Sequence, residues 1–240
     1  NNLGLDALHD LSLSVHSGEI VGVAGVEGNG QSELLEAISG LRPLESGELL
    51  LEGSPIQQLS PRQRFQKGMS HVPEDRHQQA LVLSNTMKEN LIFGRHTEER
   101  FLKAGFWMDE AEQQAFSRER ITTFGIEPPT PELPVNALSG GNQQKVLFAR
   151  ALASSAPLVV MDDPMRGVDI GTKKEVYQMI QNEAAKGRSF LWYSTETDEI
   201  LECDRVFVFR AGEIAAELVG DEISEENILH ASFEMQEAVQ

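Results

Sequence analysis

The spacing of apolar and polar residues divides the chain into an alternating series of elements. Leu11 to Val15 alternates apolar with polar residues, the pattern of a half-buried strand, and Ser17-Gly18 reads as a turn. Glu19 to Ala24 is a short apolar run and predicts a buried strand. A glycine-rich loop follows. From Ser32 the residues Leu34, Leu35, Ala37 and Ile38 recur at helical spacing as far as Gly40, a suitable C-terminal stop. Turn residues on either side bound a short strand at Leu49 to Leu51, and Met69 to Val72 predicts another.

Between Asn85 and Asn136 the pattern becomes helical and polar, broken by Pro128, Pro129, Pro131 and Pro134. After Gly141 an amphipathic helix turns Val146, Leu147, Ala149 and Leu152 toward a core, and Pro157 ends it. A buried strand at Leu158 to Met161, a helix over Thr172 to Lys186, and strands at Ser189 to Tyr193 and Val206 to Phe209 complete the series. Alternation of this kind predicts an α/β fold with a largely parallel sheet. From Ala211 to Gln240 there are eight Asp or Glu and no Lys or Arg, which predicts a solvated terminal helix or tail.

Composition narrows the classes. At 240 residues, with 40% hydrophobic and 24% charged residues and no low-complexity tract, the chain suits one large α/β domain and is not disordered. Acidic residues outnumber basic ones 38 to 20, and a formal charge of −18 repels a phosphate backbone, which argues against nucleic acid as a partner. The apolar runs are far shorter than the roughly 20 residues that cross a bilayer. The single cysteine, Cys203, has no partner for an internal disulfide, and no signal-peptide pattern opens the chain, so a reducing cytoplasm is expected. The chain opens on Asn1-Asn2 without an initiator Met and is expected to be an excised fragment. Its histidines are scattered without paired ligand spacing, and Phe65 and the strand Arg205 to Phe209 are expected to be core.

Three segments carry chemistry. Gly25-Val26-Glu27-Gly28-Asn29-Gly30-Gln31-Ser32 follows a buried strand, opens a helix, and has the spacing of a phosphate-binding P-loop, with Gln31 where lysine is usual. Its glycines let backbone N–H groups turn inward toward phosphate, and the Ser32 hydroxyl can ligate Mg²⁺. Loss of the lysine removes a charge-assisted contact of about 1.5–3 kcal/mol. Leu158-Val159-Val160-Met161-Asp162-Asp163 is an apolar strand ending in two carboxylates. Asp162 can hold Mg²⁺ directly or through water. Asp163 would point at an attacking water, but its carboxylate is one methylene shorter than a glutamate's, and misplacement by about 1 Å costs on the order of 10²-fold in rate. Leu138-Ser139-Gly140-Gly141-Asn142-Gln143-Gln144-Lys145 opens a helix as a second phosphate-binding element, with Ser139 as its cap.

P-loop, signature segment and acid-ended strand, in that order, resemble the ABC ATPase family along nearly the whole chain. The words Gly25 to Leu34 (Glu33 included), Val72-Pro73-Glu74-Asp75-Arg76, Leu138 to Lys145 and Arg166-Gly167-Val168-Asp169 are similar to the second cassette of bacterial importers for simple sugars and nucleosides, in which two cassettes share one polypeptide. The resemblance implies a P-loop NTPase fold: a RecA-like, mostly parallel core with an antiparallel β subdomain (residues 1–84 and 141–220), a helical subdomain (85–140) and an acidic tail (221–240). It implies ATP and Mg²⁺ as cofactors. The implied partners are the N-terminal cassette of the same polypeptide or a second copy, transmembrane permease subunits and, indirectly, a solute-binding protein, on the inner face of the membrane. Ser139, Gly140, Gly141 and Asn142 would serve the nucleotide held by the partner's P-loop. Glu74 falls at the position of the family's Q-loop glutamine, a metal and coupling position. Asp169 matches the D-loop aspartate, and Thr195 falls where active cassettes carry the switch histidine. Gln31, Asp163 and Thr195 together depart from a hydrolysing site, so a cassette that binds nucleotide or dimerises without turnover is the alternative expectation. Repair or translation members of the family usually carry zinc modules or basic arms, which this chain lacks. An aromatic residue to stack on adenine is missing upstream of Phe65.

Overall fold

The computed structural model describes residues 7–233. The chain forms β1 (Ile20–Gly25), α1 (Gln31–Ser39), β2 (Leu50–Leu51), β3 (Ser54–Pro55), α2 (Pro61–Gln66) and β4 (Met69–Val72). There follow α3 (Met87–Ile92), β5 (Leu102–Lys103), β6 (Trp107–Met108), α4 (Glu110–Thr123) and α5 (Gly140–Ala151). The series ends with β7 (Leu158–Asp162), α6 (Ile170–Ala184), β8 (Ser189–Tyr193), α7 (Thr197–Ile200), β9 (Arg205–Arg210), β10 (Glu213–Val219) and α8 (Glu225–Phe233). Among the described residues these elements group into two compact units, one within 7–71, 156–163 and 180–233, the other from 72–155 and 164–179.

The first unit is built on a six-stranded sheet of order β10-β9-β1-β8-β7-β4. β1 pairs in parallel with β8 and β9, β7 pairs in parallel with β8, and β10 runs antiparallel to β9. Central parallel strands are covered on both faces, which is why β1 and β8 are almost continuously apolar and buried. α1 presents Leu34, Leu35 and Ile38 to Val21, Val23, Val160 and Leu191 in the main core. Gly40, at φ +79°, ends α1 in the left-handed region, with its N–H on the Ala37 carbonyl oxygen at 3.2 Å.

Several elements depart from the sequence pattern. Leu11, Leu13 and Val15 pack against the core as their alternation predicts, yet the backbone there joins no ladder. The terminal region is not uniformly solvated: Glu213 to Val219 forms the edge strand β10, with Leu218 buried, and α8 lies between 225 and 233. The remainder of the expected tail, 234–240, lies outside the described residues. Phe65 is only half-buried; the core residue of α2 is its neighbour Arg64. Cys203 is buried beside Gly22, and burial pushes its thiol far above the usual range, which leaves it inert.

The second unit is mainly helical. The Thr86 side chain and Glu89 form a reciprocal cap at the start of α3. The proline-rich stretch docks on that start, its Leu133 and Pro131 carbonyl oxygens accepting the Met87 and Lys88 N–H groups at 2.9 Å each. Phe101 and Phe116 meet edge to face at 5.2 Å within this core. A small hairpin, β5–β6, interrupts the helices and is not signalled by the polar pattern. Among the described residues no helix is long and apolar enough to cross a membrane.

His71, half-buried in β4, gives the first unit a pH dependence. Burial holds its imidazole down to about 4, below the ordinary value near 6.5. The folded state therefore binds fewer protons than the unfolded one between those values, and stability falls as the pH drops from about 6.5 toward 4. Urea midpoints at pH 7 and pH 4.5 should fall less in His71→Gln than in the parent; equal falls would show that His71 does not contribute.

Candidate functional site

Between β1 and α1 the loop closes on itself. Gly25 has φ +133°, and a Cβ there would stand 2.3 Å from the Phe209 carbonyl oxygen, so any side chain would drive the loop away from β9. Asn29 anchors the crest: its Oδ1 accepts the Ala211 N–H at 2.8 Å, its carbonyl oxygen accepts the Gly212 N–H at 3.1 Å, and its Nδ2 donates to the Val26 carbonyl oxygen at 2.9 Å. Gln31 is only 1% exposed. Its Nε2 donates to the Val26 carbonyl oxygen at 3.0 Å, and its Oε1 accepts the Asn29 N–H at 3.1 Å. The side chain at the lysine position is thus folded across the loop, where it occupies a backbone N–H otherwise available to phosphate. Glu27, Gly28 and Ser32 are exposed, while Gly30 precedes α1 as its cap. Glu33 lies in the first turn of α1, where the helix dipole favours a carboxylate.

The end of β7 faces the end of β8. Asp162, half-buried, pairs in register with Tyr193, and the Asp163 N–H then donates to the Tyr193 carbonyl oxygen at 2.9 Å. Asp163 takes φ +39°, a strained conformation for a residue with a side chain. Its carboxylate, in a residue 2% exposed, accepts the Thr195 hydroxyl at 2.9 Å and the Ser194 hydroxyl at 3.2 Å. Ser194 Oγ also lies 2.7 Å from Oε2 of the buried Glu199 on α7, so one hydroxyl hydrogen serves two carboxyl groups. A cavity of about 280 Å³ opens beside this network, bordered by Gly25, Val26, Glu27 and Thr195 and by side chains of α7 and α8.

In the second unit Ser139 caps α5, its Oγ accepting the Asn142 N–H at 3.4 Å and Asn142 Nδ2 at 3.0 Å. Asn142 Oδ1 accepts the Glu127 N–H at 2.8 Å, so its amide positions the turn. Gln143 Nε2 donates to the Val135 and Leu138 carbonyl oxygens at 3.2 and 3.3 Å, and Gln144 Nε2 donates to that of Pro164. A Cβ on Gly141 would stand 2.5 Å from Thr172 Oγ1 and 3.0 Å from Asp169 Oδ2. Asp169 accepts the Thr172 N–H at 3.0 Å and its hydroxyl at 2.8 Å, and these bonds hold its carboxyl below the usual range. Glu74, half-exposed, forms an ion pair with Arg166.

A family model described as ABC transporter matches residues 8–166, about two thirds of the chain. The chain belongs to the ABC transporter family. Among curated relatives, the cassette is 41% identical over 231 residues to a ribose import ATP-binding protein of Mesorhizobium japonicum, covering 95% of this chain and 44% of that protein. It is 37% identical over 226 residues to a guanosine import ATP-binding protein of Bacillus subtilis, covering 94% and 44%. The cassette therefore spans less than half the length of these relatives. Among solved structures it resembles an ATP-binding cassette of an ABC transporter in its ADP conformation, with a TM-score of 0.78 at 25% identity, covering 94% of this chain and 91% of that one. A dimeric ATP-binding cassette described as bound to ADP and Pi matches with a TM-score of 0.74 at 24% identity, covering 89% and 90%, and shows the shared fold. The fold is that of an ABC ATPase cassette within the P-loop NTPases.

Gly25 to Ser32, Asp162, Asp163 and Thr195 of the cassette lie in the first unit, and Glu74 and Ser139 to Asn142 lie in the second. Ser194 and Glu199, which complete the Asp163 network, carry no motif. The signal that finds them is the β7–β8 register, which brings the residues after Tyr193 to the end of the acid-ended strand.

Proposed function

We propose that this cassette is the nucleotide-binding half of a cassette pair in an ATP-driven importer for a sugar or nucleoside-type solute, and that its own P-loop site does not sustain hydrolysis. Sugar and nucleoside import relatives of about twice its length support a second cassette in the same polypeptide, as in the C-terminal half of a tandem protein. Permease subunits and, through them, a solute-binding protein would complete the importer on the cytoplasmic face of the membrane.

The observation that carries the silent-site reading is the Asp163 carboxylate. A base for the attacking water must present an oxygen within hydrogen-bond reach. Here both carboxylate oxygens already accept bonds from Ser194 and Thr195, on a side chain that is one methylene short. Thr195 engages Asp163 and has no imidazole to offer a terminal phosphate. Gln31, neutral and turned into the loop, supplies no cation to the outer phosphates. ATP would still dock on the loop N–H groups and the N-terminus of α1. Bound Mg²⁺ would neutralise charge on the phosphates, held by the Ser32 hydroxyl and Asp162. These are hard oxygen donors of the kind Mg²⁺ takes. Among the described residues no cluster of three His, Cys, Asp or Glu could hold a metal alone. Glu74, the third expected metal ligand, lies in the second unit, where its carboxylate is engaged in the ion pair with Arg166.

The test is made on the full-length protein with the partner cassette's P-loop disabled. Turnover should fall by about 10²-fold or more, the range lost with a positioned base. In that background Gln31→Lys should tighten binding of a fluorescent ATP analogue about tenfold, as a recovered charge-assisted contact implies. It should leave turnover flat because Asp163 and Thr195 are unchanged. Substantial residual turnover before any substitution here would show that this site hydrolyses ATP.

A further inference from the structure

The β5–β6 hairpin carries Phe106, Trp107 and Met108 in succession, exposed at 69%, 67% and 45%. Successive residues of a strand point to opposite faces, so with both residues of β6 exposed neither face of the ribbon is covered there. The turn is made by Ala104 at φ +51° and Gly105 at φ +78°, with the Phe106 N–H on the Lys103 carbonyl oxygen at 3.3 Å. The Phe106 and Trp107 rings stand 5.4 Å apart as one apolar tip. Its base is held. The Asp109 N–H donates to the carbonyl oxygen of the buried Phe101 at 2.7 Å, Lys103 pairs with Asp109 at 3.0 Å, and Arg100 pairs with Glu112 at 2.6 Å. Phe101 and Phe116, not the tip residues, fill the adjoining core. Three adjacent large apolar side chains left in water on a fixed support mark a surface that meets something else.

Charge says what that is. From Phe93 to the end of α4 at Thr123 the chain holds six acidic and five basic residues, whereas the whole chain carries −18. Anionic lipids of a cytoplasmic leaflet repel a surface of that acidity, and this nearly neutral stretch is a part of it that can approach them. Tryptophan favours the membrane–water interface, where its ring leaves water and its N–H stays wet, and phenylalanine adds apolar area. A fluid lipid layer takes up both faces of a projecting ribbon at once, whereas a protein groove matches one. We propose that the hairpin tip inserts Phe106 and Trp107 into the headgroup layer of the membrane, a hold on the bilayer separate from the contact with the permease. The proposal rests on the reading that the cassette works at a membrane.

Full-length protein, without permease, would be floated with phosphatidylcholine vesicles and with vesicles that also contain phosphatidylserine. The parent should float with phosphatidylcholine, and Phe106→Ser combined with Trp107→Ser should lower the partition coefficient by about tenfold or more, as two aromatic side chains returned to water imply. Added salt should leave binding to phosphatidylcholine unchanged and strengthen binding to the phosphatidylserine vesicles, by screening the acidic remainder of the chain. Lipids brominated near the headgroup should quench the emission by which the parent differs from Trp107→Phe. Trp107→Tyr, which keeps an interfacial ring, should retain most of the binding, and melting temperatures should match the parent because the substituted residues are exposed. No flotation of the parent, or equal flotation of the parent and the double variant, overturns the proposal. Flotation without quenching of Trp107 overturns it as well, since the lipid contact then lies elsewhere. A change in oligomer size in the double variant, with vesicle binding unaltered, makes the tip a protein interface and overturns it. The importer reading fails on a different result: sugar and nucleoside uptake intact in cells that lack the protein, with Trp107 still quenched by lipid.

Discussion

Ser139→Ala in the full-length protein is expected to lower ATP turnover by about 10²-fold, the scale of a lost oxyanion donor, while Gln31→Ala changes it by less than about threefold. On the proposed function, the two residues would belong to sites of different standing. Ser139 is exposed at the N-terminus of a 12-residue helix, where its hydroxyl and the N–H groups of Gly140 and Gly141 can face a partner's phosphate. Gln31 is buried, and both ends of its carboxamide are bonded inside its own loop. On the proposed function, removing it would loosen a P-loop whose candidate base, Asp163, is already engaged by Thr195, and would leave a partner cassette's P-loop untouched. Ser139→Ala also removes a helix cap, which costs about 1 kcal/mol of stability. Ser139→Thr, which keeps a hydroxyl and a cap, should therefore retain most of the turnover. The measurement is a side-by-side ATPase assay of the three variants; a larger loss in Gln31→Ala than in Ser139→Ala would place the productive site at this chain's own P-loop.

The P-loop, the acid-ended strand and the signature segment are legible in the sequence because each is contiguous: a few neighbouring residues fix both the local fold and the groups presented. What links them is not contiguous. Asp163 meets Thr195 only because β7 and β8 pair in a register that sets Asp162 opposite Tyr193, and hydrophobic periodicity within one strand carries no information on which residue it faces in the next. The edge strand β10 is a different case. Ile214 and Leu218 point inward while Glu213 and Glu217 point outward, so the alternation is present, but the acidity of the segment outweighs it. In α2 the burial runs opposite to residue type: Phe65 is the apolar residue, yet Arg64 is inside. Composition cannot foresee a buried guanidinium, because what makes burial tolerable is a set of carbonyl groups gathered from other segments.

Arg64→Ala is accordingly expected to destabilise the first unit by about 3–5 kcal/mol, the scale of breaking a buried, fully bonded charge. Arg64 is 2% exposed, and its guanidinium donates to the carbonyl oxygens of Ala37, Ile38, Gln57 and Leu59. The first two are at the C-terminal end of α1, where the helix dipole favours a cation and carbonyl groups have no partner within the helix. Gly40 makes room for it, since a Cβ there would stand 2.9 Å from Arg64 Nε. One side chain thus fastens the end of the P-loop helix to the segment before α2. Truncation leaves the Ile38, Gln57 and Leu59 carbonyls without this donor, the Ala37 carbonyl keeping the Gly40 N–H, and opens a cavity; Arg64→Lys should recover little, because a compact ammonium cannot span four acceptors. For a domain of this size a loss of that order corresponds to a fall of about 6–20 °C in melting temperature, at about 2–4 °C per kcal/mol. Because α1 carries Ser32 on its first turn, binding of a fluorescent ATP analogue should weaken in step with the loss of stability. Thermal melts within about 2 °C of the parent for Arg64→Ala would show instead that water replaces the guanidinium at those four carbonyls without loss.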